Sequence, residues 1–376
     1  MDAVAQAHRE HWGRIVATLI RVTGDWTLAE DCAQDALAIA LEKWPRDGVP
    51  DNPGGWLTTV ARNRALDHVR RAAVEQRKLR EATLIQPQRA NDDLLSLIFT
   101  CCHPALALEA RVALTLRTVA GLSTADIARA FLVTEPTMTR RITRAKSKIA
   151  QARIPYRVPE GDALHERLPG VLAVLYLLFN QGYDGEPLIA DEAIRLARLL
   201  AGLMPGESEV ASLLALFLLQ HSRRAARRDE RGDLVTLDRQ DRTRWDRAAI
   251  AEALEILLRT PIEGPYALHA RIAAGHAGDE SDWRSIALWY DELVRVQPTA
   301  VVELNRAVAH GYAYGPEAGL KMLPELENYP LSIAVEADLT ARAGRTEDAK
   351  KLFREAAAKI PDGPERRALL SRADEL

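Results

Sequence analysis

Cysteine is scarce: the 376 residues contain only Cys32, Cys101 and Cys102. That is too few for a disulfide framework, so a reducing compartment is expected. Long apolar runs are missing as well. The longest, around Val210 to Leu219, is about half of what a membrane span requires. The opening residues include His8, Arg9, Glu10, His11 and Arg14, so no apolar secretion signal is expected. A soluble, cytoplasmic protein is expected. No Gly-rich phosphate loop or dinucleotide fingerprint occurs. His165, His221, His269, His276 and His310 have no Cys, Ser or Glu partner at catalytic spacing. Cys101-Cys102-His103 suggests zinc, but adjacent helical side chains point about 100° apart and no second cysteine pair supplies the remaining ligands. Neither enzymatic activity nor a cofactor or metal is therefore expected.

What is present is helical. Apolar residues make up 47% and charged residues 27%, enough to bury two or three cores. Ala, Leu, Arg and Glu dominate, apolar residues recur at three and four, and alternating β-branched runs are rare. The chain reads as all-α. Its net charge of −3 hides an asymmetry. Residues 1–155 hold 22 Lys and Arg against 17 Asp and Glu, whereas residues 156–376 hold 28 against 36. A basic half is joined to an acidic one.

Pro and Gly divide the chain into blocks. A helical unit covers 1–72, a charged connector 73–93 and a second unit 94–155. A hinge at Ile154-Pro155-Tyr156-Arg157-Val158-Pro159 then leads to an apolar helical stretch over 160–262, including Ile189, Ala193, Leu196, Leu200 and Leu203. From 263 to 376 short helices alternate with turns. There Ala318 and Met322 before Pro330 share a phase with Ala349, Phe353 and Ala356 before Pro361, and with Tyr290 before Pro298. This resembles degenerate tetratricopeptide (TPR) helix pairs, with Gly344 in an inter-helix turn and small Ala337 at a close approach. An ordinary bundle of proline-ended helices is the alternative.

The sharpest pattern runs from Gly121 to Ile142. Ser123 and Asp126 form a capping box at a helix start, Ile127 and Phe131 share a face, and Leu132 and Val133 form a turn. Thr134 then caps a second helix that tolerates Pro136 in its first turn. Met138, Ile142, Ala145 and Ile149 give that helix a buried seam. Between Thr137 and Arg153 lie six basic residues and no acidic one. Such a helix fits the major groove, where Arg can pair with guanine edges. Position assigns Thr137, Thr139, Arg140 and Arg141 to base reading, and Arg144, Lys146 and Lys148 to the DNA backbone.

In the first unit, Thr27 and Glu30 are expected to form another capping box, opening a helix to Trp44. Ala33, Ala36, Leu37, Ala40 and Trp44 face inward, while Asp31, Asp35, Ala38 and Glu42, flanked by Gln34, line the other side. By itself such an acidic stripe is usually a solvated face. After Asn52-Pro53-Gly54-Gly55, a segment from Trp56 to Arg71 places Asn63, Asp67 and Arg70 together, and Arg62 to Arg80 holds seven basic residues against two acidic ones. Trp56 is expected to pack inward.

These motifs resemble extracytoplasmic-function (ECF) sigma factors. Asp25 with Ala29 to Asp35, then Trp56-Leu57, Ala61-Arg62-Asn63, Asp67 and Arg70-Arg71, are similar to successive parts of sigma region 2. The helix-turn-helix ending Arg144-Ala145-Lys146 is similar to region 4. Phe99-Thr-Cys-Cys-His-Pro-Ala-Leu, Ile154-Pro-Tyr, Leu175 to Tyr183 and Gln240-Asp-Arg-Thr-Arg-Trp resemble a subgroup with a long C-terminal extension ending in TPR-like helices. The resemblance implies a dissociable subunit of core RNA polymerase that contacts the β′ clamp helices and β flap. Asp31, Gln34, Asp35 and Glu42 would dock on the clamp. Arg62, Asn63, Arg64, Asp67, Arg70 and Arg71 would meet the minus-ten element, where captured single strands need cationic contacts. The second helix would meet the minus-35 element. Leu37 departs from the aromatic that many members carry there. The extension would modulate activity, alone or with a peptide or protein partner. The competing reading is a helix-turn-helix regulator with a TPR-like partner domain that is not a polymerase subunit. It accounts for residues 121–376 but not for the acidic helix or the Trp56 to Arg71 segment.

Overall fold

The computed structural model describes residues 2–75, 90–131, 133–184, 187–230, 233, 235–324 and 330–376. Among these residues every regular element is a helix or a helical turn, as the composition implies. None of the helices is long and apolar enough to cross a membrane. Packing divides the chain into two compact units, Met1–Leu203 and Met204–Leu376. The stretch expected as one extension over 160–262 is thus shared between them. Most of the expected connector, 73–93, lies outside the described residues, as does Leu132.

Helices α1 (Asp2–Thr23), α2 (Trp26–Asp47) and α3 (Pro53–Glu75) begin the first unit and pack pairwise. Trp12, Ile15, Val16, Leu19 and Leu57 are almost fully buried among them and their neighbours. The start of α2 corrects an expectation. Asp25, not Thr27, is its N-cap, accepting from the amides of Thr27 (2.8 Å) and Leu28 (3.1 Å). Asp is among the best residues for that position. Glu30 is released from capping and is buried instead.

Next come α4 (Ala90–Cys101), α5 (Leu108–Leu114), a π-helical turn at Thr115–Val119, α6 (Thr124–Ala130) and α7 (Glu135–Gln151). Here α4 and the π turn lie against α1. Two glycines permit a close approach of backbone to neighbour. A Cβ on Gly13 would stand 2.7 Å from the Val119 carbonyl oxygen, and one on Gly121 would stand 2.7 Å from the Trp12 ring. Gly121 also has φ +78°, where other residues are strained.

The first unit closes with α8 (Asp162–Asp184) and α9 (Pro187–Leu203), which pack on each other. Helix α8 also reaches α4 and α5. Two of its side chains take carbonyls left free at helix C-termini. Arg167 donates to the Phe99 carbonyl near the end of α4, and Gln181 donates to the Ala130 carbonyl at the end of α6 (2.8 Å). Leu172, Val174, Leu178 and Phe179 are buried along α8.

The second unit contains α10 (Ser208–His221), α11 (Arg247–Arg259), α12 (Pro265–Gly275), α13 (Trp283–Val296), α14 (Ala300–Tyr314), α15 (Pro316–Leu320), α16 (Pro330–Arg342), α17 (Thr346–Ala358) and α18 (Pro364–Glu375). Helix α12 packs on α10 and α13, and from α13 to α18 each helix packs mainly on its neighbours in the chain, with α14 also touching α16. That arrangement is quasi-one-dimensional. Gly344 sits at φ +79° in the turn between α16 and α17, and fully buried Ala337 packs with Phe353 and Ala373. At the α14–α15 corner, a Cβ on Gly319 would lie 2.6 Å from the Ala307 carbonyl oxygen and 2.8 Å from the Gly311 Cα.

Candidate nucleic-acid interface

Two amphipathic helices form the helix-turn-helix. Ser123 caps α6, accepting from the Asp126 amide at 3.1 Å, and its hydroxyl donates to the Asp126 carboxylate at 2.6 Å. Thr134 occupies the N-cap position of α7, but its hydroxyl pairs with that of Thr137 (2.9 Å) rather than with a backbone amide. Met138, Ile142, Ala145 and Ile149 are all buried, as their spacing predicts. They fix the rotation of α7 and so decide which side chains leave it outward.

The outward face is basic. Thr137, Thr139, Arg140, Arg144 and Lys148 are exposed, and Arg141 is half-buried. With Ala105, Leu106, Ala107 and Ala110, the residues Thr137, Arg140, Arg141, Arg144 and Lys148 line a surface concavity of about 430 Å³. Four cations therefore border it without a carboxylate among the lining residues, which favours an anionic backbone. Lys146 departs from this set. Its ammonium turns inward and lies 2.7 Å from the Glu30 carboxylate.

On α3, Arg62, Asn63, Arg64, Asp67 and Arg70 are exposed. The Arg71 side chain lies outside the described residues. Trp56 is half-buried and meets Trp44 edge-on, with centroids 5.6 Å apart, in keeping with inward packing. On α2, Ala33, Ala36, Ala40 and Trp44 are buried while Asp31, Gln34, Asp35 and Glu42 are exposed. The acidic row is thus available to a partner. The two helical faces carry opposite charge within one unit.

The cysteines take no part in these faces. All three are buried, and Cys102 Sγ lies 3.7 Å from the Thr115 hydroxyl. Burial pushes the Cys102 thiol up to about 11, opposing the thiolate that a metal would require. No cluster of metal-ligating side chains occurs among the described residues.

Sequence reasoning missed the polar groups between α1–α3 and α4–α7. Besides Lys146, Glu30 meets Arg117 at 3.4 Å and the Thr118 hydroxyl at 3.3 Å. Buried Asp93 on α4 meets Arg21 on α1 at 2.7 Å. The Tyr156 hydroxyl donates to the carbonyls of Ala17 (2.9 Å) and Asp93 (3.1 Å), and burial raises its pKa. A signal for Glu30 existed, because it stands one turn before Ala33 on the inward arc of α2.

A bundle bearing an acidic row and a basic stripe, followed by a helix-turn-helix, is the layout of a sigma factor. Residues 8–74 match sigma-70 region 2 and residues 96–149 match sigma-70 region 4. The chain belongs to the sigma-70 family, whose members act with RNA polymerase on promoter DNA. Residues 167–260 match a family of unknown function, DUF6596, which accounts for the first part of the C-terminal extension. The chain is also 40% identical, over 392 aligned positions, to the uncharacterized protein R00370 of Rhizobium meliloti (strain 1021), covering 96% of this chain and 93% of that one.

Proposed function

We propose that this sigma factor is of the ECF type and initiates transcription by joining core RNA polymerase to promoters with paired minus-ten and minus-35 elements. Asp31, Gln34, Asp35 and Glu42 dock on the β′ clamp helices, and the helix-turn-helix unit meets the β flap. Arg62, Asn63, Arg64, Asp67, Arg70 and Arg71 engage the minus-ten element as its strands separate. Thr137, Thr139, Arg140 and Arg141 read duplex bases at minus-35, while Arg144 and Lys148 hold phosphates, joined by Lys146 when it leaves Glu30. Such a protein works in the cytoplasm and is nucleoid-associated when bound to polymerase.

The observation that carries this reading is the exposed acidic row of α2 in the same chain as the exposed basic face of α7. A duplex-binding regulator needs the second and has no use for the first. The C-terminal extension modulates the activity through TPR-like helices that receive a peptide or protein partner. Co-purification with core polymerase tests the assignment. Salt-sensitive binding that is lost in an Asp31→Ala, Asp35→Ala double variant supports it. Duplex binding with no association with polymerase supports the helix-turn-helix regulator instead.

A further inference from the structure

Among the described residues between α10 and α11, the regular pieces are turns of three residues, at Arg224–Ala226, Leu237–Arg239 and Arg242–Arg244. A connection this long inside a compact unit is uncommon and is usually functional. It carries the Gln240-Asp-Arg-Thr-Arg-Trp motif, which promoter reading leaves unused. Apolar packing holds one end of it: Trp245 is buried, with the Arg242 guanidinium over its ring at 4.7 Å. The rest is tied by charge to helices far along the chain. Asp233 accepts from Arg367 Nε at 3.0 Å, Asp238 lies 3.8 Å from Arg372, and Arg239 lies 2.5 Å from Glu375, all three partners being on α18. Arg242 then donates to the carbonyls of His276 (2.7 Å) and Gly278, just past the end of α12, and to the Ser281 hydroxyl (3.3 Å). The strap from 233 to 242 therefore crosses the helix stack from α18 to the turn before α13.

The surface beside this strap is built from successive helices. Tyr312 on α14 donates to Asp338 on α16 (2.9 Å), which also holds Arg372 on α18. Trp283 on α13 meets Tyr312 with ring centroids 4.3 Å apart, and Arg342 lies over the Tyr312 ring at 3.8 Å. The strap does not fill the space: a cavity of about 400 Å³ remains between Leu237, Asp238 and Arg242 and the facing Trp283, Val308 and Tyr312. Its anchors are also wet. The side chains of Arg239 and Glu375 are 49% and 42% exposed, and those of Arg367 and Asp233 are 58% and 28% exposed. Each exposed pair of this kind changes an equilibrium by a factor of about five or less and weakens in salt. Another chain that offers the same charges can replace such contacts one for one.

We propose that this face of the second unit is a groove for an extended peptide, and that residues 233–242 occupy it in the free chain as an internal stand-in. The occupant is a segment of a protein partner with the strap's own order of charge. It carries two carboxylates five residues apart for Arg367 and Arg372, a cation directly after the second for Glu375, and a guanidinium three residues later for the carbonyls past α12. The groove deepens the reading of the extension as partner-binding and rests on it. A partner binds by displacing the strap, so the tethered strap sets the threshold that the partner's local concentration must exceed.

The test uses the full-length chain and a fluorescent synthetic peptide with the sequence of Asp233–Trp245. In the parent the tethered strap competes at a roughly millimolar effective concentration, so the peptide should bind weakly. Asp238→Ala with Arg239→Ala removes two exposed anchors of the strap and leaves the α18 side of the groove intact. Peptide binding should tighten about threefold to tenfold. Adding Arg367→Ala and Glu375→Ala, both exposed on α18, should cancel that gain. An unlabelled peptide with its Asp and Arg charges reversed should not compete. In the parent, saturating peptide should speed amide hydrogen exchange over 235–243, which reads displacement without any variant. A loosened chain that keeps its helical circular dichroism and cooperative unfolding yet binds no tighter overturns the proposal. So does equal competition by the reversed peptide, or unchanged exchange under saturating peptide. Transcript yield with core polymerase, with and without peptide, judges the modulating role separately, so failure of the groove and failure of that role remain distinct.

Discussion

The Glu30 carboxylate on α2 lies 2.7 Å from the Lys146 ammonium on α7, although 116 residues separate them in sequence. Their side chains are 7% and 17% exposed, so solvent screens the pair little. Lys146→Met leaves Glu30 with the Arg117 cation at 3.4 Å and the Thr118 hydroxyl at 3.3 Å. Full loss of a buried partner costs more, but with one cation remaining a loss of about 1–3 kcal/mol is expected. Urea unfolding monitored by tryptophans of the first unit should show a lower midpoint. An unchanged midpoint means the pair contributes no stability.

On the outer face of α7, phosphate and base contacts separate experimentally. Arg144→Ala should weaken binding to all duplexes alike and reduce the slope of log affinity against log salt by about 1. Arg140→Ala should relax preference at one base pair, by about 1–3 kcal/mol of discrimination. Equilibrium titrations of a promoter duplex and its point variants at several salt concentrations give both quantities. Identical behaviour of the two variants contradicts the division of roles.

Helix α8 packs chiefly on α9 but also reaches α4 and α5. A chain ending at Pro159 loses Arg167 and Gln181 from the ends of α4 and α6, together with the buried face of Leu172, Val174, Leu178 and Phe179. Each large apolar side chain contributes about 1.5–3 kcal/mol on burial. Residues 1–159 should bind a hydrophobic dye and aggregate, whereas residues 1–203 should unfold cooperatively as a monomer. A well-folded 1–159 chain contradicts this, and only the 1–203 boundary gives a fair test of what the remaining extension does.

The second unit should weaken in acid through His276. Its ring donates to or accepts from the Ser281 hydroxyl at 2.9 Å and meets Trp283 edge-on. Burial, then Arg223 and Arg242, lowers its pKa from 6.5 to about 4. The folded state therefore resists a proton that the unfolded chain accepts. This contribution is present in full above pH 6.5 and is lost as pH falls towards 4. The total effect is about 3 kcal/mol. Unfolding of the parent and of His276→Gln at pH 7 and pH 4.5 should show a smaller acid loss in the variant. Equal losses assign the sensitivity elsewhere.

Much of this was legible in the sequence because it is local. The seam of Met138, Ile142, Ala145 and Ile149 sets the rotation of α7, and with it the basic face. The same periodicity separates Ala33, Ala36 and Ala40 from Asp31, Asp35 and Glu42 on α2. Two things were not legible. Thr27 and Glu30 have capping-box spacing, but Asp25 two residues earlier takes the cap by accepting from the Thr27 and Leu28 amides, and Glu30 is held by residues far along the chain that spacing cannot reveal. Apolar residues on α8 announced burial without saying against what, so the helix was grouped with the extension. The family match over 167–260 keeps α8 with that extension, and its contacts with α4 and α5 tie it to the first unit as well.

Transcription from a pool of genomic fragments with purified core polymerase tests the central claim most directly. Core polymerase with the full-length chain should start at discrete sites sharing two upstream elements. Those starts should vanish with the Asp31→Ala, Asp35→Ala variant and weaken with Arg144→Ala. Random starts indistinguishable from core polymerase alone, from a chain that still binds duplex DNA, contradict the account.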